Sequence, residues 1–143
     1  MTIIDLSIAE NRLTQTLIGC FIRVHSAIGP GLLEGVYEEC LCHVLKMEEI
    51  SFERQKQVPI FFEDIKLESP LRLDLLIEDK IILELKSVET VLPVHEAQII
   101  SYLRLAQKQI GFIVNFNVPL MKSGIKRFTN NFNPSSALSA PPR

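Results

Sequence analysis

Apolar side chains return every three or four positions through the first part of the chain, at Leu13, Leu17, Phe21, Val24 and Ile28. That spacing is the stripe of an amphipathic helix. Ser7-Ile8-Ala9-Glu10, just ahead of it, has the S-x-x-E form of a capping box. Gly29-Pro30-Gly31 stops the helix and lets the chain turn. A second helical pattern follows through Leu33, Val36 or Tyr37, Cys40 or Leu41, and Val44 or Leu45, ending near Glu49. From Phe52 the period shortens. Residues 58–62 read as a strand, with Pro59 favouring an edge or a strand start and Glu63-Asp64 a turn. Residues 71–77 and 81–85 are strands joined through Glu78-Asp79-Lys80. Pro93 fits the first turn of a helix running to about Ala106. Residues 110–116 form a further apolar strand, and 125–128 a short terminal element. Two helices, then strands, a helix and a strand predict an α/β or α+β domain around one mixed sheet.

Length and composition narrow the function classes. A chain of 143 residues suits one domain, expected over residues 1–132, and can bury roughly 68–70% of its unfolded surface. The segment 133–143, rich in Pro, Ser and Ala, has the composition of a disordered tail. No apolar run is long enough for a membrane span, and no signal peptide is visible, so a cytoplasmic protein is expected. Cys20, Cys40 and Cys42 form no C-x-x-C pair and are odd in number, which points to free thiols. The net charge of −2 gives no overall basic field for nucleic acid. A polyanion site must then be local, or draw positive charge from a metal.

Candidate chemistry lies in the hairpin RLDLLIEDKIILELK, residues 72–86, where Asp74, Glu84 and Lys86 interrupt apolar runs. Alternation puts Arg72, Asp74 and Leu76 on one face of their strand, and Ile82, Glu84 and Lys86 on one face of the next. A turn centred on Asp79 sets Asp74 opposite Glu84, with their carboxylates roughly 5 Å apart. At an effective dielectric near 20 the repulsion is about 3 kcal/mol. Either a divalent cation or a raised pKa relieves it. Oxygen ligands without clustered His or Cys favour Mg²⁺ or Mn²⁺ over Zn²⁺. A hard cation beside a lysine suits phosphodiester hydrolysis. A solvated, salt-bridged strand face is the competing account, because Glu-x-Lys is common on exposed strands. Glu34 lies one turn before Tyr37 and also reads as a surface acid favoured by the helix dipole. His95, Gln98 and Tyr102 project from one face of the later helix. Arg104 and Lys108 follow as candidate phosphate contacts, and His25 reads as structural.

Together these residues resemble the GxxExxY family, a bacterial branch of the PD-(D/E)XK nuclease superfamily. Gly31-Leu-Leu-Glu34-Gly-Val-Tyr37 matches the motif that names it. Arg72-Leu-Asp74, Glu84-Leu-Lys86, Pro93-Val-His-Glu-Ala-Gln98 and Asn115-Phe-Asn117 follow in the family's order, over roughly residues 10 to 130. Leu73 stands where many members carry proline. The resemblance implies a restriction-endonuclease-like core, a mixed central sheet flanked by helices. It also implies Asp74, Glu84 and the Leu85 carbonyl as ligands for Mg²⁺ or Mn²⁺, and Lys86 as the catalytic lysine. Glu34 would be the first-helix acid, and Gln98-x-x-x-Tyr102 the motif that orients the lysine or substrate. The implied function is hydrolysis of nucleic acid, most readily DNA. The alternatives are a non-catalytic nuclease-fold module that binds nucleic acid or a protein partner, and a metal-stabilised homodimer.

Overall fold

The computed structural model describes residues 3–130 as backbone and 10–130 with their side chains. Helix α1 spans Ile3–Ile28 and α2 spans Glu34–Met47. Strand β1 (Phe52–Val58) leads into a small hairpin of β2 (Phe61–Phe62) and β3 (Ile65–Lys66). Then come β4 (Leu71–Ile77), β5 (Ile81–Lys86), α3 (Pro93–Ala106) and β6 (Ile110–Asn115). A 3-10 turn at Met121–Gly124 and β7 (Ile125–Thr129) complete the order. The expected α/β architecture with a mixed sheet is the one found. The expected tail lies outside the described residues.

Five strands form one sheet in the order β1-β4-β5-β6-β7, antiparallel except for the parallel pair β5 and β6. Parallel neighbours need a crossover, and α3 supplies it. One core lies between the sheet and the pair α1 and α2, built on Leu17, Phe21, Leu41, Leu45, Leu83 and Phe112. A smaller core lies on the other face, where Ile99 and Leu103 of α3 meet Leu73, Leu76, Ile82 and Ile113. Both faces of β5 and β6 are therefore covered. This explains runs as apolar as IILEL and IGFIV, in which alternation disappears.

Two expectations need correction. Helix α1 begins at Ile3, so Ser7 lies inside it and does not cap it. The strand expected at 58–62 lies upstream instead, at Phe52–Val58, and Pro59 ends it. Proline has no N–H for the ladder, and the exposed Phe61 and Phe62 belong to the separate two-stranded hairpin. The edge position is nevertheless right for β1, which among the described residues has only β4 beside it.

The loop before α2 fixes where that helix begins. Gly29 and Gly31 take φ of +71° and +92°, a left-handed path that a side chain would strain. The Tyr37 hydroxyl donates to Gly29 C=O at 2.6 Å and accepts from Leu32 N–H at 3.1 Å. Its ring stacks on Phe116, with centroids 4.4 Å apart. One buried tyrosine thus ties the glycine loop to the core one turn from Glu34. His25 is buried and its Nε2 lies 2.7 Å from Val118 C=O, a structural contact as expected. The three cysteines are free.

Candidate active site

The hairpin of β4 and β5 turns through Glu78 and Asp79, both at positive φ, closed by Lys80 N–H to Ile77 C=O. Positive φ at both central residues is the turn whose twist matches flanking strands. The register is the expected one: Ile77 pairs with Ile81, Leu76 with Ile82 and Leu75 with Leu83. The next pair would be Asp74 with Glu84, and there backbone pairing stops. Side chains take over. Asp74 N–H donates to Glu84 Oε2 at 2.9 Å, and Leu85 N–H donates to Asp74 Oδ2 at 2.8 Å. Two carboxylates therefore occupy the gap where the strands part.

The strand also loses its alternation at this point. Leu71, Leu73 and Leu76 pack into the α3-side core, whereas Leu75 and Ile77 pack into the α1–α2 core. Residues of one parity thus change faces between Leu73 and Leu75, with Asp74 at the crossover. This corrects the expectation that Arg72 shares a face with Asp74 and Leu76, because Arg72 neighbours residues already turned to the α3 side.

Burial and mutual repulsion set the charge state of the pair. Glu84 is buried, and its pKa is pushed up to about 8, first by desolvation and next by the charge of Asp74. The Asp74 N–H and Lys86 ammonium pull the other way but lose. Asp74 is also raised, chiefly by burial, with the charges of Glu38 and Glu34 adding to it. Among the described residues no ion pair within 4.0 Å neutralises either acid. A salt-bridged strand face is therefore not what forms.

The other expected site residues can be placed in turn. Glu34 opens α2, is exposed, and its charge raises both carboxyls, so it stands on their side of the molecule. Lys86 leaves β5 on the Glu84 face and lines an open cleft of about 600 Å³ with Val94, His95, Ala97, Gln98 and Ser101. Tyr102 is half-buried, and its hydroxyl is raised by burial and then by the charges of Glu84 and Asp74. Gln98 lies within hydrogen-bonding reach of that hydroxyl. His95 Nδ1 accepts Leu92 N–H at 3.0 Å, which fixes its ring at the start of α3. Lys108 is drawn away, to Asp79 at 3.1 Å.

One acid of this region was missed in the sequence. Glu38 is buried and takes Arg54 Nε at 2.6 Å and Gln55 Nε2 at 2.7 Å. A glutamate four residues after Glu34 reads as one more polar helix position, and its partners lie on a strand that had been placed elsewhere. The only sequence signal was that Glu34 and Glu38 share one helix face.

The donor set fits a hard cation of the open kind. Asp74 Oδ1 and Glu84 Oε1 receive no hydrogen bond among the described residues. Lys86 C=O accepts Phe116 N–H, so Lys86 and Glu84 turn their backbone groups toward β6. Leu85 turns its own toward β4, where pairing has already ended. Two carboxylate oxygens and one carbonyl suit Mg²⁺, which keeps several waters. Among the described residues no three or more His, Cys, Asp or Glu side chains are grouped to hold a metal.

The chain is similar to the solved crystal structure of SSO0001, with 20% identity and a TM-score of 0.47, over 77% of this chain and 61% of that one. It therefore spans about three fifths of the length of that protein. No curated protein matches. A family model, that of the PD-(D/E)XK nuclease superfamily, matches residues 11–128. That range takes in α2, the whole five-stranded sheet but for its last residue, and α3, and the chain belongs to the PD-(D/E)XK nuclease superfamily.

Proposed function

We propose that this protein is a metal-dependent nuclease of the GxxExxY branch, hydrolysing phosphodiester bonds of nucleic acid, DNA first among them. The observation that carries this reading is the pair Asp74, half-buried, and Glu84, buried, without an ion-pair partner in a break between β4 and β5, with Lys86 beside them. A fold gains nothing from two such acids. Asp74, Glu84 and the Leu85 carbonyl would hold Mg²⁺ or Mn²⁺, which when bound polarises phosphate oxygens and acidifies water. Leu85 N–H fixes the Asp74 carboxylate and Asp74 N–H fixes that of Glu84, so neither has to reorganise. The Lys86 ammonium, facing the cleft, would balance negative charge developing on the phosphate. Gln98, at the cleft wall, would orient Tyr102 behind it, and Glu34 would hold a proton or water from the α2 side. Residues 1–132 would act as one unit, in a cytoplasmic, bacterial setting.

A panel of labelled substrates, single- and double-stranded DNA and RNA, tests this with Mg²⁺ and with Mn²⁺. Cleavage is expected, with Lys86→Ala losing at least a hundredfold in rate, as for loss of one positioned charge in a site of this kind. Binding without cleavage by the unmodified protein in either metal would replace the nuclease with a binding module of the same fold.

A further inference from the structure

Adjacent residues of a strand point to opposite faces, yet Arg54 and Gln55 of β1 both reach the carboxylate of Glu38 on α2. They can do so because Gln55 is left-handed, with φ of +53°. Its neighbours keep register on either side: Arg54 pairs with Leu75 and Lys56 with Leu73. Gln55 and Asp74, which face each other between those pairs, do not pair. Asp74 is thus free of the ladder on both sides, at Gln55 and at Glu84. The kink in β1 and the crossover of faces in β4 stand directly opposite one another.

From this we infer that Glu38 is a positioning residue for Asp74: by gathering Arg54 and Gln55 it holds the β1 kink, and the kink holds Asp74 out of the sheet ladder with its carboxylate turned to Leu85. A non-glycine residue keeps a left-handed backbone only where its surroundings impose it, and Glu38 is buried with both oxygens engaged. Without the clamp β1 would relax to ordinary strand, Asp74 would pair with Gln55, and its side chain would follow the alternation of β4. Glu38 lies one helical turn after Glu34, so the same contact also sets α2 against the site. The inference rests on the reading of Asp74 as a site residue, but its test does not require catalysis.

Amide hydrogen exchange at Leu85 reports the Asp74 carboxylate directly, since that N–H has Oδ2 as its acceptor. Glu38→Ala should speed Leu85 exchange at least tenfold while amides of the pairs Leu75–Leu83 and Ile77–Ile81 keep their protection. Adding Gln55→Gly should restore Leu85 protection, because glycine takes positive φ unaided. Titration with Mn²⁺ alone should show affinity falling at least tenfold in Glu38→Ala and recovering in the double variant. Unchanged Leu85 exchange in a folded Glu38→Ala protein overturns the inference. So does a loss that Gln55→Gly leaves unrepaired, which would mark Glu38 as ordinary packing. If Leu85 exchange changes as expected while the unmodified protein binds no Mn²⁺, the clamp stands and the metal-site reading falls.

Discussion

Glu84 is the residue where the energetics of the site are easiest to separate. Its acidity is ordinary in the unfolded chain, near 4.5, and about 8 in the fold. Between those values the folded state keeps a proton that the unfolded state has released. The contribution of this group is therefore fully present below pH 4.5 and is lost as pH rises toward and through 8, by roughly a few kcal/mol. Asp74 is shifted in the same direction and steepens the loss. In Glu84→Gln the amide oxygen still accepts the Asp74 N–H, but nothing ionises. Urea unfolding of both proteins should agree within about 1 kcal/mol at pH 4.5–5, and the variant should be the more stable by a few kcal/mol at pH 9. Parallel pH dependences would show that Glu84 carries no such cost. The acids of the candidate site were legible in the sequence because a charged residue in a strand otherwise made of Leu and Ile is conspicuous. Glu38 was not, because a glutamate on an amphipathic helix is unremarkable until its strand partners are known.

At the scale of elements, legibility followed the apolar pattern, and it failed where that pattern and burial part. Strand β1 reads FERQKQV, with charge or amide at five of seven positions, because an edge strand needs few apolar contacts. The apolar run after it, Ile60 to Phe62, marks the exposed hairpin instead. Strands β4, β5 and β6 and helix α3 were found within one or two residues of their bounds, since the strands bury nearly continuous apolar runs and α3 buries Ile99 and Leu103 one turn apart. What lies between them was hidden. Asn115 at the end of β6 is buried, and its side chain accepts Val88 N–H and Asn117 N–H while donating to Val88 C=O. It ties the link between Lys86 and α3 to the sheet. Asn115→Ala strips all three bonds from half-buried backbone and should cost about 2–4 kcal/mol in denaturant unfolding. Gly124 lies so close to this junction that an added Cβ would meet the Asn115 carbonyl oxygen at 2.1 Å. Backbone cannot yield there as a side chain could, so Gly124→Ala should cost at least about 2 kcal/mol. If Gly124→Ala melts with the parent, the approach of the two segments is looser than described.

For the whole molecule, the arrangement places its least favourable charges where the sheet ladder is interrupted on both sides of Asp74, with apolar cores on both faces. Among the described residues no helix is long and apolar enough to cross a membrane. The sheet could be expected from sequence, but the breaks could not, because they depend on contacts between α2, β1 and β4 that are far apart in the chain. Binding at such a break is coupled to the stability of the whole fold. If Asp74 and Glu84 stand together to hold a cation, the metal-free protein carries their repulsion, and Asp74→Asn should raise its stability by up to roughly 1–3 kcal/mol. The amide keeps an oxygen for Leu85 N–H, so the hydrogen bond across the break can survive. Millimolar Mn²⁺ should then stabilise the unmodified protein by an amount growing as RT ln(1 + [L]/Kd), because only the folded state joins the ligands. The same ion should do much less for Asp74→Asn. A strand face held by charge pairing predicts the reverse order: slight destabilisation by Asp74→Asn and no response to the cation beyond ionic screening. Thermal melts of the two proteins at pH 8, with and without Mn²⁺ at fixed ionic strength, separate these cases, and equal melting shifts would remove the metal from the site.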